Sequence, residues 1–174
     1  MSEPKYQKLF EKLKSQENAF NEYWIALRGG IRDFRNKIRE LMGYPASSYA
    51  DQNNQARHWV VLAAKDGAEV ATELELVQHG DDNGTVEFSV GLTVGLPSSP
   101  SDMNVFWYKY SIRKINNKIE LRSLSGKDEI FYLETEDGLK KAAEWLIDNV
   151  DRDLLETPQS LWESELPPKK TGFF

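Results

Sequence analysis

Apolar residues recur in alternating steps of three and four along the first forty positions. They are Phe10, Leu13, Phe20, Trp24, Leu27, Ile31, Phe34, Ile38 and Leu41, and only Glu17 interrupts the series. A stripe that keeps this seven-residue repeat is the signature of an amphipathic helix with a coiled-coil-like seam. The spacing predicts a helix over 3–42. Gly29-Gly30 sits inside it and costs about 1 kcal/mol per Gly relative to Ala, so the helix has a place to bend or break there. "SQEN" at 15–18 is a second such place. Unbroken, forty residues would run about 60 Å, longer than a small domain is wide. Gly43 suits the C-cap, with Pro45 just beyond.

After a polar loop over 43–56 the period changes from helical to strand-like. "RHWVVLAAK" (57–65) is apolar on both faces, as a central strand is. Asp66-Gly67 is a hairpin turn signal. "EVATELELVQ" then reads as a strand with Val70, Leu74 and Leu76 on one face and Glu69, Glu73 and Glu75 on the other. "TVEFSVGLTV" (85–94) alternates in the same way. Pairing these two runs with Leu76 opposite Val90 and Leu74 opposite Leu92 requires an odd loop. Asp82-Asn83-Gly84 supplies it, with Gly84 at positive φ. His79 would then face Glu87.

The stretch "HGDDNG" (79–84) therefore reads as a turn. As a calcium loop of the EF-hand kind it would put His79 at position one and Val90 at position twelve, where acids are needed. "GLPSSPSD" (95–102) is a long connection, either a hairpin or a crossover. "NVFWYKYSIRK" (104–114) is the next strand. Asn116-Asn117 suits a tight turn. It sets Ile112 opposite Leu121 and Arg113 opposite Glu120. "EIFYLE" (129–134) is a sixth strand.

A last clear helix spans 136–151. Thr135 is its cap, Glu136 and Asp137 complement its dipole, and Leu139, Ala142, Ala143, Leu146 and Val150 form its buried stripe. A helical turn over 157–166, with Pro158 in its first position, and a loose tail over 167–174 complete the reading. The fold class expected is α+β, a two-layer sandwich. It has a long N-terminal helix, about six mostly antiparallel strands as a meander and a C-terminal helix, in one domain over 1–166.

Charge and residue usage narrow the function. Residues 1–42 hold nine Lys/Arg against six Asp/Glu, a surplus of +3, whereas the remainder is −9. General nucleic-acid binding does not fit an acidic body, which leaves one basic element as the exception. That element is the row Arg28, Arg32, Arg35 and Arg39, spaced four, three and four along one side of the helix. It suits phosphate or an acidic partner, or else solvation and pairing with nearby acids. The chain contains no cysteine and only two histidines, so disulfides, thiolate zinc and a cysteine nucleophile are excluded. No cofactor and no metal are expected. No apolar run approaches the ~20 residues a membrane span needs. "MSEPKYQKLF" lacks the pattern of a signal peptide. A cytoplasmic location is the expectation, with no membrane contact.

Three function classes follow. The leading one is a non-enzymatic interaction protein that forms a homodimer or binds a protein partner through the first helix and one sheet face. Its candidate contact residues are Trp24, Leu27, Arg28, Ile31, Arg32, Arg35, Arg39 and, on the second sheet face, Trp107. The second is a small-molecule binder with a cleft between sheet and helices, lined by Trp59, Phe88, Tyr108 and Tyr110, with 95–102 as a lid. The third is a metal-dependent phosphodiester hydrolase using Glu73, Glu75 and Glu87. "ELELV" lacks the lysine that usually accompanies such acids. No P-loop, nucleophile elbow, zinc-helix motif or dinucleotide fingerprint is present. The small, acidic helix-plus-sheet layout resembles that of bacterial secretion chaperones, a likeness of fold that implies nothing about sites.

Overall fold

A computed structural model describes residues 4–96 and 98–155. In chain order the elements are α1 (Lys5–Met42), β1 (Ser48–Ala50), β2 (Ala56–His58), β3 (Val60–Ala64), β4 (Glu69–Val70), α2 (Glu73–Val77), β5 (Val86–Val94), β6 (Asn104–Ile115), β7 (Lys118–Ser123), β8 (Ile130–Tyr132) and α3 (Glu136–Leu155). β1 and β2 form a small hairpin of their own. The other six strands form one sheet in the order β4-β3-β5-β6-β7-β8, and every pairing in it is antiparallel. The architecture is α+β. The helical turn expected over 157–166 and the tail over 167–174 lie outside the described residues.

α1 is continuous through both "SQEN" and Gly29-Gly30. Gly30 is explained by packing. A Cβ there would sit 3.0 Å from Cγ2 of Ile119 and 3.3 Å from Cδ1 of Ile112, so the bare glycine lets the helix lie close to β6 and β7. Gly43 ends the helix at φ 64°, its N–H bonding back to the carbonyls of Arg39 and Glu40.

The core fills the space between the sheet and the helices. Leu27, Ile31, Phe34 and Ile38 of α1 pack with Leu62, Phe88, Val90, Leu92, Tyr110, Ile112 and Leu121 of the sheet, and with Ala142, Ala143 and Leu146 of α3. Phe34 meets Tyr110 edge-on at 5.4 Å. The expected cap of α3 is present, with the Gly138 N–H donating to Thr135 Oγ1 at 3.0 Å. The helix runs on past 151 to Leu155.

Several turns behave as their residues require. Asp66-Gly67 joins β3 to β4. Asn116 and Asn117 both adopt positive φ, 48° and 63°. They place Ile112 opposite Leu121 and Arg113 opposite Glu120, the latter as an ion pair at 2.9 Å. The 95–102 connection is a hairpin link, because β5 and β6 pair directly along their length.

The expected polar loop 43–56 holds β1 and the start of β2, and the single strand expected over 57–65 is split at Trp59 into β2 and β3. The larger difference lies further along the chain. Residues 73–77 are helix, not strand, and β5 pairs with β3, Val60 opposite Leu92 and Leu62 opposite Val90. The cause is local. Thr72 and Glu75 stand three apart, and the Glu75 carboxylate accepts from both the backbone N–H and the hydroxyl of Thr72 at 3.2 Å. That is a helix-starting arrangement which strict alternation of "ELELV" conceals. Leu76 and Val77 still reach the core, from a helix. The loop after it is a turn, though it joins a helix to a strand. Asp81 Oδ1 accepts from the N–H groups of Asn83 and Thr85, and Gly84 takes φ 74°.

Candidate interaction surface

The stripe on α1 divides into two halves. From Leu27 to Ile38 it is core, and Leu41 at its far end is exposed again. Before Tyr23 every described residue of the helix is exposed, although the stripe continues. Tyr6, Phe10, Leu13 and Phe20 are 75%, 56%, 52% and 63% exposed, and Leu9 beside them is 66% exposed. Extending the 3-4 spacing one step back from Phe10 reaches Tyr6, so its place on the stripe was readable from the sequence. The exposure of this half was not, because it depends on where the sheet ends.

An aromatic collar marks the border. Tyr23 donates to the Gly84 carbonyl at 2.5 Å and accepts from the Lys114 N–H at 3.1 Å. Trp24 lies against Gly80. It packs edge-on with Phe20 on the solvent side and Tyr23 on the body side, at 5.7 and 5.3 Å.

Little among the described residues sustains the projecting half as a helix. Pro4 at its N-cap makes no side-chain cap, and no acid occupies the first turn to meet the dipole. Lys5 and Lys8 stand at that positive end instead. Among the described residues its one ion pair is Lys14–Glu17 at 3.6 Å. Most helix stability in proteins comes from packing an apolar face, and on this half the face is exposed.

The arginine row does not act as a unit. Arg28 and Arg32 are exposed, and Arg32 approaches Asp33 at 3.5 Å. Arg39 is half-buried and donates to Asn36 Oδ1. Arg35 is buried, its Nε donating to the Val60 carbonyl at 2.9 Å and its Nη1 to Glu73 at 3.1 Å. Arg35 therefore ties α1 to β3 and α2. Of the other residues expected at an interface, Leu27 and Ile31 are core and Trp24 is at the border.

The three carboxylates do not converge. Glu73 and Glu75 are on α2, held by Arg35 and Thr72, and Glu87 on β5 pairs with Lys65 at 2.8 Å. Among the described residues no group of three His, Asp or Glu side chains is placed to hold a metal ion.

Trp59, Phe88, Tyr108 and Tyr110, expected to line a cleft under the helices, are instead buried core. Trp59 interrupts the run between β2 and β3, stacked on Tyr44 with ring centroids 4.6 Å apart. The clefts of the sheet lie on its opposite face. One of about 700 Å³ is lined by residues that include Tyr49, Arg57, His58, Val61, Met103 and Val105. Another of about 600 Å³ borders Trp107, whose indole lies over Gly91. Of the charges around these clefts, Arg57 pairs with Asp51 and Glu69, and Lys65 pairs with Glu87.

No helix among the described residues is long and apolar enough to cross a membrane. No family model, curated protein or solved structure matches this chain.

Proposed function

We propose that this chain is an interaction protein whose projecting half of α1, residues 5–22, is a docking helix for a second helix. One observation carries the reading. An apolar heptad stripe continues for more than two helical turns beyond the body that covers its other half, and no strand of the described sheet covers it. Contiguous exposed apolar surface of this kind marks interaction sites. A helix laid on a helix buries such a stripe in the manner of a coiled coil. We prefer this reading to the catalytic alternative because Glu73, Glu75 and Glu87 are separately engaged.

The test is Phe10→Glu with Leu13→Glu, read by molar mass in solution and by fluorescence of an apolar-surface dye. Both side chains lie wholly on the projection. The wild type should show either self-association or dye binding, and the double variant should lose whichever is present, with the melting temperature of the body unchanged. If neither mass nor dye signal moves, the projection is not an apolar docking face.

A further inference from the structure

We infer that the helix docked on this stripe is a second copy of the same chain, running antiparallel, with Tyr6 of each copy at Trp24 of the other. This rests on reading residues 5–22 as a docking helix and adds what occupies it.

The covered half of the stripe decides the direction. From Leu27 on, the same face of α1 rests on the sheet, with Gly30 against Ile112 and Ile119 and Phe34 against Tyr110. Packed helices lie ~8–10 Å apart. A parallel copy lying on the bare half would run past Trp24 into the space that β6 and β7 fill. An incoming helix must therefore end near Trp24. A second copy meets that condition when reversed. Its α1 begins at Lys5, directly after Pro4, and its own sheet begins beyond its Trp24, past the end of the first helix. Each copy completes the stripe that its own sheet leaves bare.

The stripe is self-complementary in this register. From Tyr6 to Trp24 it runs about 27 Å at 1.5 Å per residue. Reversal sets Tyr6 on Trp24, Phe10 on Phe20 and Leu13 on Glu17. The one polar member of the series thus faces leucine at two layers flanking the centre, where the two Lys14–Glu17 pairs come together as alternating charges. A parallel pairing would set Glu17 on Glu17, like charges in an apolar seam. Three aromatic rings per copy lie between Tyr6 and Phe20. The exposed rings of Tyr6, Phe10 and Phe20 of each copy, with Leu9 and Leu13 beside them, supply the apolar area of the interface, and a specific interface needs to bury more than roughly 1,000 Å².

The absence of cysteine from the sequence gives a clean experiment. Leu13→Cys and Glu17→Cys chains are made separately in the full-length protein and oxidised with glutathione disulfide, alone and mixed. The proposal expects a wild-type mass of twice 20.0 kDa that falls to one copy in Phe10→Glu/Leu13→Glu. It also expects the mixture to give several-fold more covalent dimer than either chain alone. Self-crosslinking of each chain at least as fast as the mixture would mean parallel alignment and overturn it. So would a doubled mass that survives Phe10→Glu/Leu13→Glu. A mass of one copy at all concentrations with no crosslink would overturn the second copy as occupant, while dye binding lost in the double variant would leave the docking helix standing.

Discussion

Arg35 of α1, which is buried, and Glu73 of α2, which is part-buried, form an ion pair, Nη1 to Oε1 at 3.1 Å, with side chains 5% and 16% exposed. The same guanidinium caps the Val60 carbonyl at 2.9 Å. Two helices and the sheet thus meet at one cation. Breaking such a pair strands a part-buried charge, at a cost of up to about 3–5 kcal/mol. Arg35→Ala should lower the unfolding free energy by that order in urea titration. Arg35→Met, which keeps volume and removes the charge, should cost less when paired with Glu73→Gln than either single change predicts by addition. If Arg35→Ala is as stable as wild type, the arginine is not a tie between the layers.

Gly80 is where the border of the covered stripe can be moved. A Cβ there would lie 2.2 Å from Cη2 of Trp24, inside the space the indole occupies. Gly80→Ala should displace Trp24 at an overpacking cost of about 1–3 kcal/mol. The change should appear in Trp fluorescence as well as in melting temperature. An unchanged spectrum and melting temperature would mean that Trp24 does not rest on this glycine.

His58 titrates below the usual histidine range, first because it is partly removed from water and then because the Arg35 and Arg39 cations disfavour its charged form. The bond with the Ser47 backbone opposes this less than Arg35 drives it but more than Arg39 does, and the Glu73 carboxylate opposes it least. With the folded pKa depressed below the unfolded value near 6.5, the unfolded chain binds the proton more readily. Stability is therefore full above that value and is lost as pH falls through the folded pKa. Wild type should lose melting temperature between pH 7.5 and 5.5 faster than His58→Asn. Equal slopes would remove His58 from the acid response.

How far the sequence was legible depends on which distances set the outcome. Asn116-Asn117 was readable because a tight turn is decided by two residues tolerating positive φ, and the register of β6 on β7 follows from it. α2 was not, because Glu-Leu-Glu-Leu-Val over 73–77 satisfies both periods. Only the Thr72–Glu75 spacing distinguishes them, through a bond between side chain and backbone. The arginine row shows a different limit. Its spacing places four residues along one side of a helix, but depth comes from neighbours distant in sequence. Arg35 is buried because Glu73 and the Val60 carbonyl happen to meet it, while Arg28 and Arg32 on the same row stay in water. The stripe of α1 was legible as a seam, and its division at Trp24 was set by the length of the sheet.

That division makes opposite predictions for two leucines of the same stripe. Leu13 and Leu27 are fourteen residues apart, two full heptads, and occupy equivalent positions in the repeat. Leu27 is fully buried against the sheet, and Leu13 is 52% exposed on the projection. Leu27→Asp puts a carboxylate into the core with no partner. It adds an uncompensated charge to a lost side chain and its cavity, which alone cost ~2–5 kcal/mol. It should leave the body unfolded or melting far below wild type by circular dichroism. Leu13→Asp should leave the melting of the body near its wild-type value and act on association alone. If both variants fold equally well, the stripe is not core after Trp24. If both unfold, the projecting half is packed by its own chain and is no docking helix.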